Sequence, residues 1–274
     1  MSVESMQPVS RLRWRVADGA EVEPRLAAEE APIALVHQAT TTAVMMATPA
    51  DLEDLGLGFS LSEGIVGSPA DIQDVEVHHG ADGVEVRLWL SGDCSEQLAA
   101  RRRHLAGPTG CGLCGVESLA AAAKPARPIP ATDFKVSPAA LLDAMAGLDG
   151  AQPLGRATRA AHAAALWRPD GELVVREDVG RHNALDKLIG ATCRRGGGAR
   201  GVLLLTSRVS VEMVQKAAVL GAPVICAVSA PTALAVRTAQ AAGLTLVGVA
   251  RADGFEVFTH PDRIDLPAEM RAGL

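Results

Sequence analysis

Long apolar runs separated by stretches of helical length dominate the last third of the chain. Val202-Leu203-Leu204-Leu205-Thr206, Val224 to Val228 and Leu244 to Ala250 are strand-length and almost wholly apolar. Ser210 to Leu220 and Thr232 to Ala242 lie between them, and Gly221 and Pro223 end the first of these helices. Strands apolar on both sides, alternating with helices, predict a parallel sheet covered on both faces. In such sheets ligands sit beyond the carboxyl ends of the strands. Those ends are Thr206-Ser207-Arg208, Ser229-Ala230-Pro231-Thr232 and Arg251-Ala252-Asp253-Gly254. Two of them run straight into helix N-termini, which suit phosphate groups. An anionic, nucleotide-like ligand is the functional expectation. Hydroxyls that only cap helices are the alternative, and pattern alone leaves the two level.

The earlier chain is less regular. Residues up to about Val22 read as a loose arm. Pro32 to Val36 and Thr42 to Thr48 read as strands, followed by a helix with Thr48 as its cap, Pro49 at its first position and acids in its first turn. Val75 to His78 and Val84 to Leu90 alternate as strands joined by a Gly80-Ala81-Asp82-Gly83 turn. Prolines at 125, 128, 130 and 138 mark a connector. The expected division is an arm over 1–22, a smaller N-terminal α+β domain over 23–95, a cysteine loop and connector over 96–138, and a C-terminal α/β cofactor-binding domain over 139–274.

Length and composition narrow the class. The 274 residues can bury a sizeable core, and 48% hydrophobic with 21% charged residues is ordinary for a globular protein. With 3% aromatics and no tyrosine, that core must be aliphatic. A formal charge of -6 argues against a general nucleic-acid binder. No apolar run reaches membrane-spanning length, and Met1 to Arg15 lacks an apolar signal core, so a cytoplasmic protein is expected. Five cysteines are an odd number for a disulfide framework and fit a reducing compartment with one functional pair.

That pair is Cys111 and Cys114, in Gly110-Cys111-Gly112-Leu113-Cys114-Gly115. Glycines leave the sulfurs little side-chain cover, whereas a packing thiol is normally wrapped in apolar bulk. Arg101, Arg102, Arg103 and His104 precede the pair, and Val116-Glu117-Ser118-Leu119 opens an alanine-rich stretch of helical character. Nearby cations and a helix N-terminus both favour the nucleophilic thiolate. Structural zinc would need a second ligand pair, which is absent. A deaminase zinc site would need His-X-Glu and Pro-Cys-X-X-Cys, and neither is present. Sulfur relay through a persulfide and dithiol redox exchange both remain open on the residues alone. Cys226 falls in a core strand, and Cys94 and Cys193 have no partner at useful spacing.

A second polar run is Arg176-Glu177-Asp178-Val179-Gly180-Arg181-His182-Asn183, continuing through Asp186 and Lys187. It bridges a strand end and a helix stripe of Leu185, Leu188 and Ile189, so Asp178, Arg181, His182 and Asn183 should gather at one corner. A solvated helix start is the bland reading. Gly180 and a histidine at the helix start count against it. His162, among alanines, reads as a satisfied interior histidine, and Met45-Met46 as packing.

Several stretches together resemble the FdhD family of formate dehydrogenase accessory sulfurtransferases. They are Val44 to Asp54 with Gly58 to Ile65, Thr109 to Gly115, Glu177 to Gly190, Ser207 to Ser210 with Glu212 to Ala217, and Ser229 to Thr232. The resemblance spans about Glu30 to Pro261. It implies a cytoplasmic sulfur carrier that accepts sulfur from a cysteine desulfurase. The acceptor would be molybdenum bis(molybdopterin guanine dinucleotide), before that cofactor enters the formate dehydrogenase apoenzyme. It makes Cys111 the persulfide cysteine, assisted by Cys114, and Val249, Ala250, Arg251, Ala252, Asp253 and Gly254 the cofactor-binding stretch. Ser207, Arg208, Ser229 and Thr232 at the neighbouring strand ends, with His182 and Asn183, complete the candidate site. The resemblance further implies an α/β fold with a cytidine deaminase-like three-layer core lacking its zinc, and a homodimer with no metal of its own. Val249, Phe258 and Pro108 depart from the family pattern. The competing classes are a cofactor-binding chaperone with structural cysteines, which stoichiometric zinc would favour, and a dithiol oxidoreductase, which would exchange disulfides without gaining sulfur.

Overall fold

A computed structural model describes residues 4–92, 94, 125–196 and 198–266. Its strands are β1 (Met6–Arg15), β2 (Gly19–Ala28), β3 (Ala31–His37), β4 (Thr40–Ala47), β5 (Ile72–His79), β6 (Val84–Leu90), β7 (His162–Trp167), β8 (Leu173–Asp178), β9 (Val202–Leu205), β10 (Val224–Ala227), β11 (Thr245–Arg251) and β12 (Gly254–Thr259). Its α-helices are α1 (Leu52–Ser62), α2 (Pro138–Gly150), α3 (Pro153–Thr158), α4 (Arg181–Arg194), α5 (Val211–Leu220) and α6 (Ala233–Ala242). The strands form a two-stranded β1-β2 ribbon, a four-stranded sheet ordered β4-β3-β6-β5, and a six-stranded sheet ordered β12-β11-β10-β9-β7-β8. The chain is a mixed α/β protein with several sheets.

The parallel expectation holds for the three strands from which it was drawn, and the flanking strands of the six-stranded sheet depart from it. β9, β10 and β11 are parallel, but β7, β8 and β12 join antiparallel to their neighbours. Apolar runs show that a strand is buried and say nothing of its direction. Both faces are covered, as such strands require. Leu203, Leu205, Ile225 and Ala227 share one core with Leu185 and Leu188 of α4, Met213 and Ala217 of α5 and Ala239 of α6. Val202, Leu204, Val224 and Cys226, pointing the other way, share a second core with Leu141, Ala144 and Leu148 of α2.

The larger core does not stop at this sheet. It continues through Leu55 and Leu57 of α1 to Ile33, Leu35, Val86 and Leu88 of the four-stranded sheet. The seam is the crossing of α1 and α4. A Cβ on Gly58 would lie 1.7 Å from the Asp186 carbonyl oxygen, and one on Gly190 would lie 2.0 Å from that of Asp54. The two helices therefore touch backbone to backbone, which only glycine at these points allows. Beside the seam, Arg176 binds Asp54 at 2.7 Å.

Two local expectations are corrected. The arm expected to be loose over 1–22 is, in its described part, half of a hairpin whose strands pair from Met6↔Ala28 to Arg15↔Gly19. Its alternating polar residues pair across the ribbon, Arg11 and Arg13 with Glu23 at 2.6 and 2.9 Å. Arg25 ties it to α3 by donating to the Thr158 carbonyl at 2.6 Å. Thr48 does not cap α1. The helix starts later, behind Asp51 in a left-handed conformation with no side-chain cap bond, and Thr48 is buried and occupied elsewhere.

Candidate functional site

β8, β9, β10 and β11 all run the same way, because β8 and β9 are both antiparallel to the β7 between them. Their carboxyl ends therefore share one edge of the sheet, with the starts of β7 and β12. This edge carries the three sequence-predicted loops and also the Asp178–His182 corner, from which the sequence reading takes His182 and Asn183 into the same candidate site. His162 stands there too, opposite Asp178.

The loops are laced by their backbones. Thr232 N–H donates to the Val209 carbonyl at 2.9 Å, Val209 N–H to Ala230 at 3.4 Å, and Val249 N–H to Ser229 at 3.3 Å. Arg251 Nη1 donates to the carbonyls of Val228 and Ala250, which fixes the guanidinium at the end of β11. Val249 has φ +53°, a left-handed conformation that is costly for a β-branched residue. It falls where the β11–β12 register slips between Gly248 and Arg251. Strain of this kind persists only where the surroundings impose it, and it gathers at functional sites.

The candidate residues are not equivalent in this frame. Arg208, Arg251, Ala252 and Asp253 are exposed at the edge, and Val249, Ser229 and Gly254 are half-buried there. Ala250 is in the core on the α2 side and can offer only backbone. Ser207 is buried with its hydroxyl donating to the Arg208 carbonyl at 3.1 Å. The Thr232 hydroxyl accepts from Ala235 N–H at 3.2 Å, so it caps α6. Asn183 is buried, its amide donating to Met46 and Asp178 at 3.0 and 3.1 Å.

The corner is held by buried charge. Asp178 and Lys187 pair at 2.6 Å with neither side chain exposed. The Asp178 carboxylate also accepts from the N–H groups of Thr48 at 3.0 Å and Gly180 at 2.8 Å. Lys187 donates to the Thr48 carbonyl at 2.9 Å, and Val179 N–H to the Thr48 hydroxyl at 3.1 Å. Thr48 thus ties β4 to the β8–α4 turn through three atoms. A second network lies on the α1–α4–α5 side, where Lys216 donates to both Asp186 oxygens at 2.9 Å, to Ser62 at 2.8 Å and to Glu63 at 3.1 Å. Burial pulls the Lys216 ammonium down, and the Asp186 and Glu63 carboxylates more than offset it, so it is held above its ordinary value. The links from Thr48 to this corner and from Lys216 to Ser62, Glu63 and Asp186 were hidden in the sequence because those partners are distant along the chain.

Two histidines at this edge are shifted toward the neutral form. Burial lowers His182 to about 4, with Arg181 and Lys216 adding to the effect and Glu212 and Glu63 opposing it. Its Nε2 is buried with no hydrogen-bond partner among the described residues. His162 is also lowered, by burial and then by Arg181, against Asp178. It is half-buried at the edge rather than interior. Gly180 before α4 and Ser210 before α5 make no side-chain cap bond. The edge therefore combines Arg181, Arg208 and Arg251, the His182 imidazole held toward its neutral form and two helix N-termini without side-chain caps. This donor-rich set suits phosphate oxygens.

Cys111 and Cys114 lie outside the described residues. Of the other cysteines, Cys226 is in the core and burial pushes its thiol up to about 12. Cys94 and Cys193 are half-buried free thiols. No helix among the described residues is long and apolar enough to cross a membrane.

A family model described as the FdhD/NarQ family matches residues 28–265. The sulfur carrier protein FdhD of Agrobacterium fabrum is 48% identical over 269 residues, covering 97% of this chain and 99% of that one. The protein of the same name from Cupriavidus necator is 48% identical over 260 residues, covering 94% and 90%. The crystal structure of a Desulfotalea psychrophila protein described as a formate dehydrogenase accessory protein superposes with a TM-score of 0.73. It is 25% identical and covers 94% of this chain and 99% of its own.

Proposed function

The chain belongs to the FdhD/NarQ family, and from that premise we propose that it is a sulfur carrier serving formate dehydrogenase. Cys111 takes sulfur from the persulfide of a cysteine desulfurase, and Cys114 assists its release. The acceptor is molybdenum bis(molybdopterin guanine dinucleotide), handled as a substrate on its way to the formate dehydrogenase apoenzyme. In this reading the protein is a cytoplasmic homodimer with a cytidine deaminase-like three-layer core.

The chemistry needs only thiolates. The Cys111 thiolate attacks the terminal sulfur of the donor persulfide, the donor's S–S bond breaks, and the donor cysteine leaves as a thiolate. Attack of the Cys114 thiolate on the Cys111 sulfur then expels hydrosulfide for the metal. It leaves a Cys111–Cys114 disulfide, which an external thiol reduces.

The observation that carries the reading is the shared edge of β8, β9, β10 and β11. A guanine dinucleotide needs places for its phosphates, and Arg208, Arg181, the fixed Arg251 and the N-termini of α4 and α5 supply donors along that one edge. Neutral His182 adds a polar group without repelling the arginines. The strained Val249 beside Arg251 fits a backbone shaped for a ligand rather than for stability.

Two measurements test it. Intact-mass spectrometry after incubation with a desulfurase and cysteine should show one added sulfur, absent in Cys111→Ala. Guanine nucleotide should bind the purified chain and bind at least about tenfold more weakly to Arg251→Ala, the loss of one good charged contact. An adduct that survives Cys111→Ala overturns the assignment.

A further inference from the structure

The N-terminal hairpin is built inside out. Its register sets Pro8 opposite Leu26, Ser10 opposite Pro24, Leu12 opposite Val22 and Trp14 opposite Ala20. Residues directly opposed share one side of a ribbon. That side is apolar except for Ser10, and all eight residues are exposed, with Leu12 and Trp14 at 69% and Val22 at 70%. The other side carries Arg11, Arg13 and Glu23, paired with one another, and Arg25, which binds α3. The polar side therefore meets the body of the protein, and the apolar side meets solvent.

Such a face calls for a cover. A two-stranded ribbon is marginal alone, and contiguous exposed apolar patches of this kind mark interaction sites. Ten residue pairs at about 3.4 Å each make a face roughly 34 Å long. Two such faces pressed together would bury on the order of 1,000 Å² in total, about what a specific interface needs. The face has no charge, so its partner must be uncharged as well. Off this face, the exposed large apolar side chains among the described residues are Val9 on the arginine side of the hairpin, Val16 beside its turn, the pair Val44 and Met46 on β4, Leu234 on α6 and Phe258 on β12, none of them making a face of this length. The surface of matching chemistry and length is the same hairpin on another copy.

We propose that the Leu12–Trp14–Val22 face is the docking surface for a second copy of this chain, hairpin against hairpin about a two-fold axis. This rests on the homodimer in the preceding reading and goes beyond it by naming the surface.

Sedimentation equilibrium on the full chain at micromolar concentration tests it. The wild-type chain should sediment at twice the chain mass. Leu12→Glu with Trp14→Glu should sediment at the chain mass with an unchanged far-ultraviolet circular dichroism spectrum, while Arg13→Ser on the polar side should remain double. Trp14 fluorescence, isolated as the difference from Trp14→Phe, should be blue-shifted in the associated protein and move to the red on dilution, a readout that does not depend on how the glutamate variant folds. A double variant that stays dimeric, or a Trp14 that stays solvent-like in the dimer, overturns the hairpin surface and leaves the homodimer standing. A wild-type monomer overturns both. So does a monomer whose Trp14 emission shifts only on adding phosphatidylglycerol vesicles, which would assign the face to lipid.

Discussion

The Asp178 carboxylate and the Lys187 ammonium lie 2.6 Å apart with no solvent reaching either. Each charge is tolerable only because the other, and the backbone of Thr48, is there. Lys187→Met leaves a carboxylate buried against two backbone N–H groups and an amide, with no cation. Breaking such a pair costs about 3–5 kcal/mol. Urea unfolding should show that loss for Lys187→Met and recover part of it when Asp178→Asn is added. Equal midpoints for Lys187→Met and wild type would contradict the pairing.

The α1–α4 seam gives a steric prediction. Gly58→Ala places a methyl carbon 1.7 Å from the Asp186 carbonyl oxygen, so the helices must part. We expect destabilisation at or above the ~1–3 kcal/mol usual for overpacking. Gly147→Ala, on α2 with nothing within 4 Å of its Cβ, is the control and should be neutral or stabilising by up to about 1 kcal/mol. Thermal melts of the two variants decide the matter.

His182 gives the protein an acid sensitivity. Its folded value is about 4 against an ordinary 6.5, so between those values the unfolded chain binds more protons than the folded one. Stability attributable to the neutral imidazole is then complete above 6.5 and drains away as pH falls toward 4. His162, shifted the same way, adds to the trend. Melting temperatures measured from pH 7 to 4.5 should fall more steeply for wild type than for His182→Asn. Parallel curves would mean that the imidazole is free to protonate.

Cysteine labelling should separate the thiols by burial. Cys226, raised to about 12 and wholly buried, should resist an alkylating reagent at pH 8 until the protein unfolds, because the thiolate is the reactive form. In a chain carrying Cys111→Ser and Cys114→Ser, peptide mapping should find Cys226 unmodified after native labelling and modified after labelling in denaturant. Native labelling at Cys226 would contradict its core position.

Much of the frame could be read from residue order. The β9–α5–β10–α6–β11 run announced itself through apolar stretches; Gly221 ends its helix as expected, with φ +82°, while the Thr232 hydroxyl caps the next helix, the alternative that pattern alone left level with ligand binding. The parallel direction of these three strands followed from their helical connections, whereas the antiparallel β7, β8 and β12 that flank them were not legible, because a run's composition carries no sign of its direction. Thr48 shows another limit. A threonine before a helix reads as a cap, and only the folded chain brings Asp178, Val179 and Lys187 to its three polar atoms. Arg208 and Arg251 could be named early because topology alone brings strand ends together. Asn183, chosen by the same reasoning, is occupied in holding the corner.

Gly58 and Gly190 carry a consequence for how this chain can be divided. Because α1 meets α4 backbone to backbone at these two points, the contact there has no slack in which one half could slide or tilt against the other. A fragment that kept the six-stranded sheet but lost α1 would bare a groove fitted to a bare helical backbone, together with Leu185 and Leu188. The halves are therefore poor modules to swap or express alone, and grafting one onto a relative should work only when its matching helix travels with it.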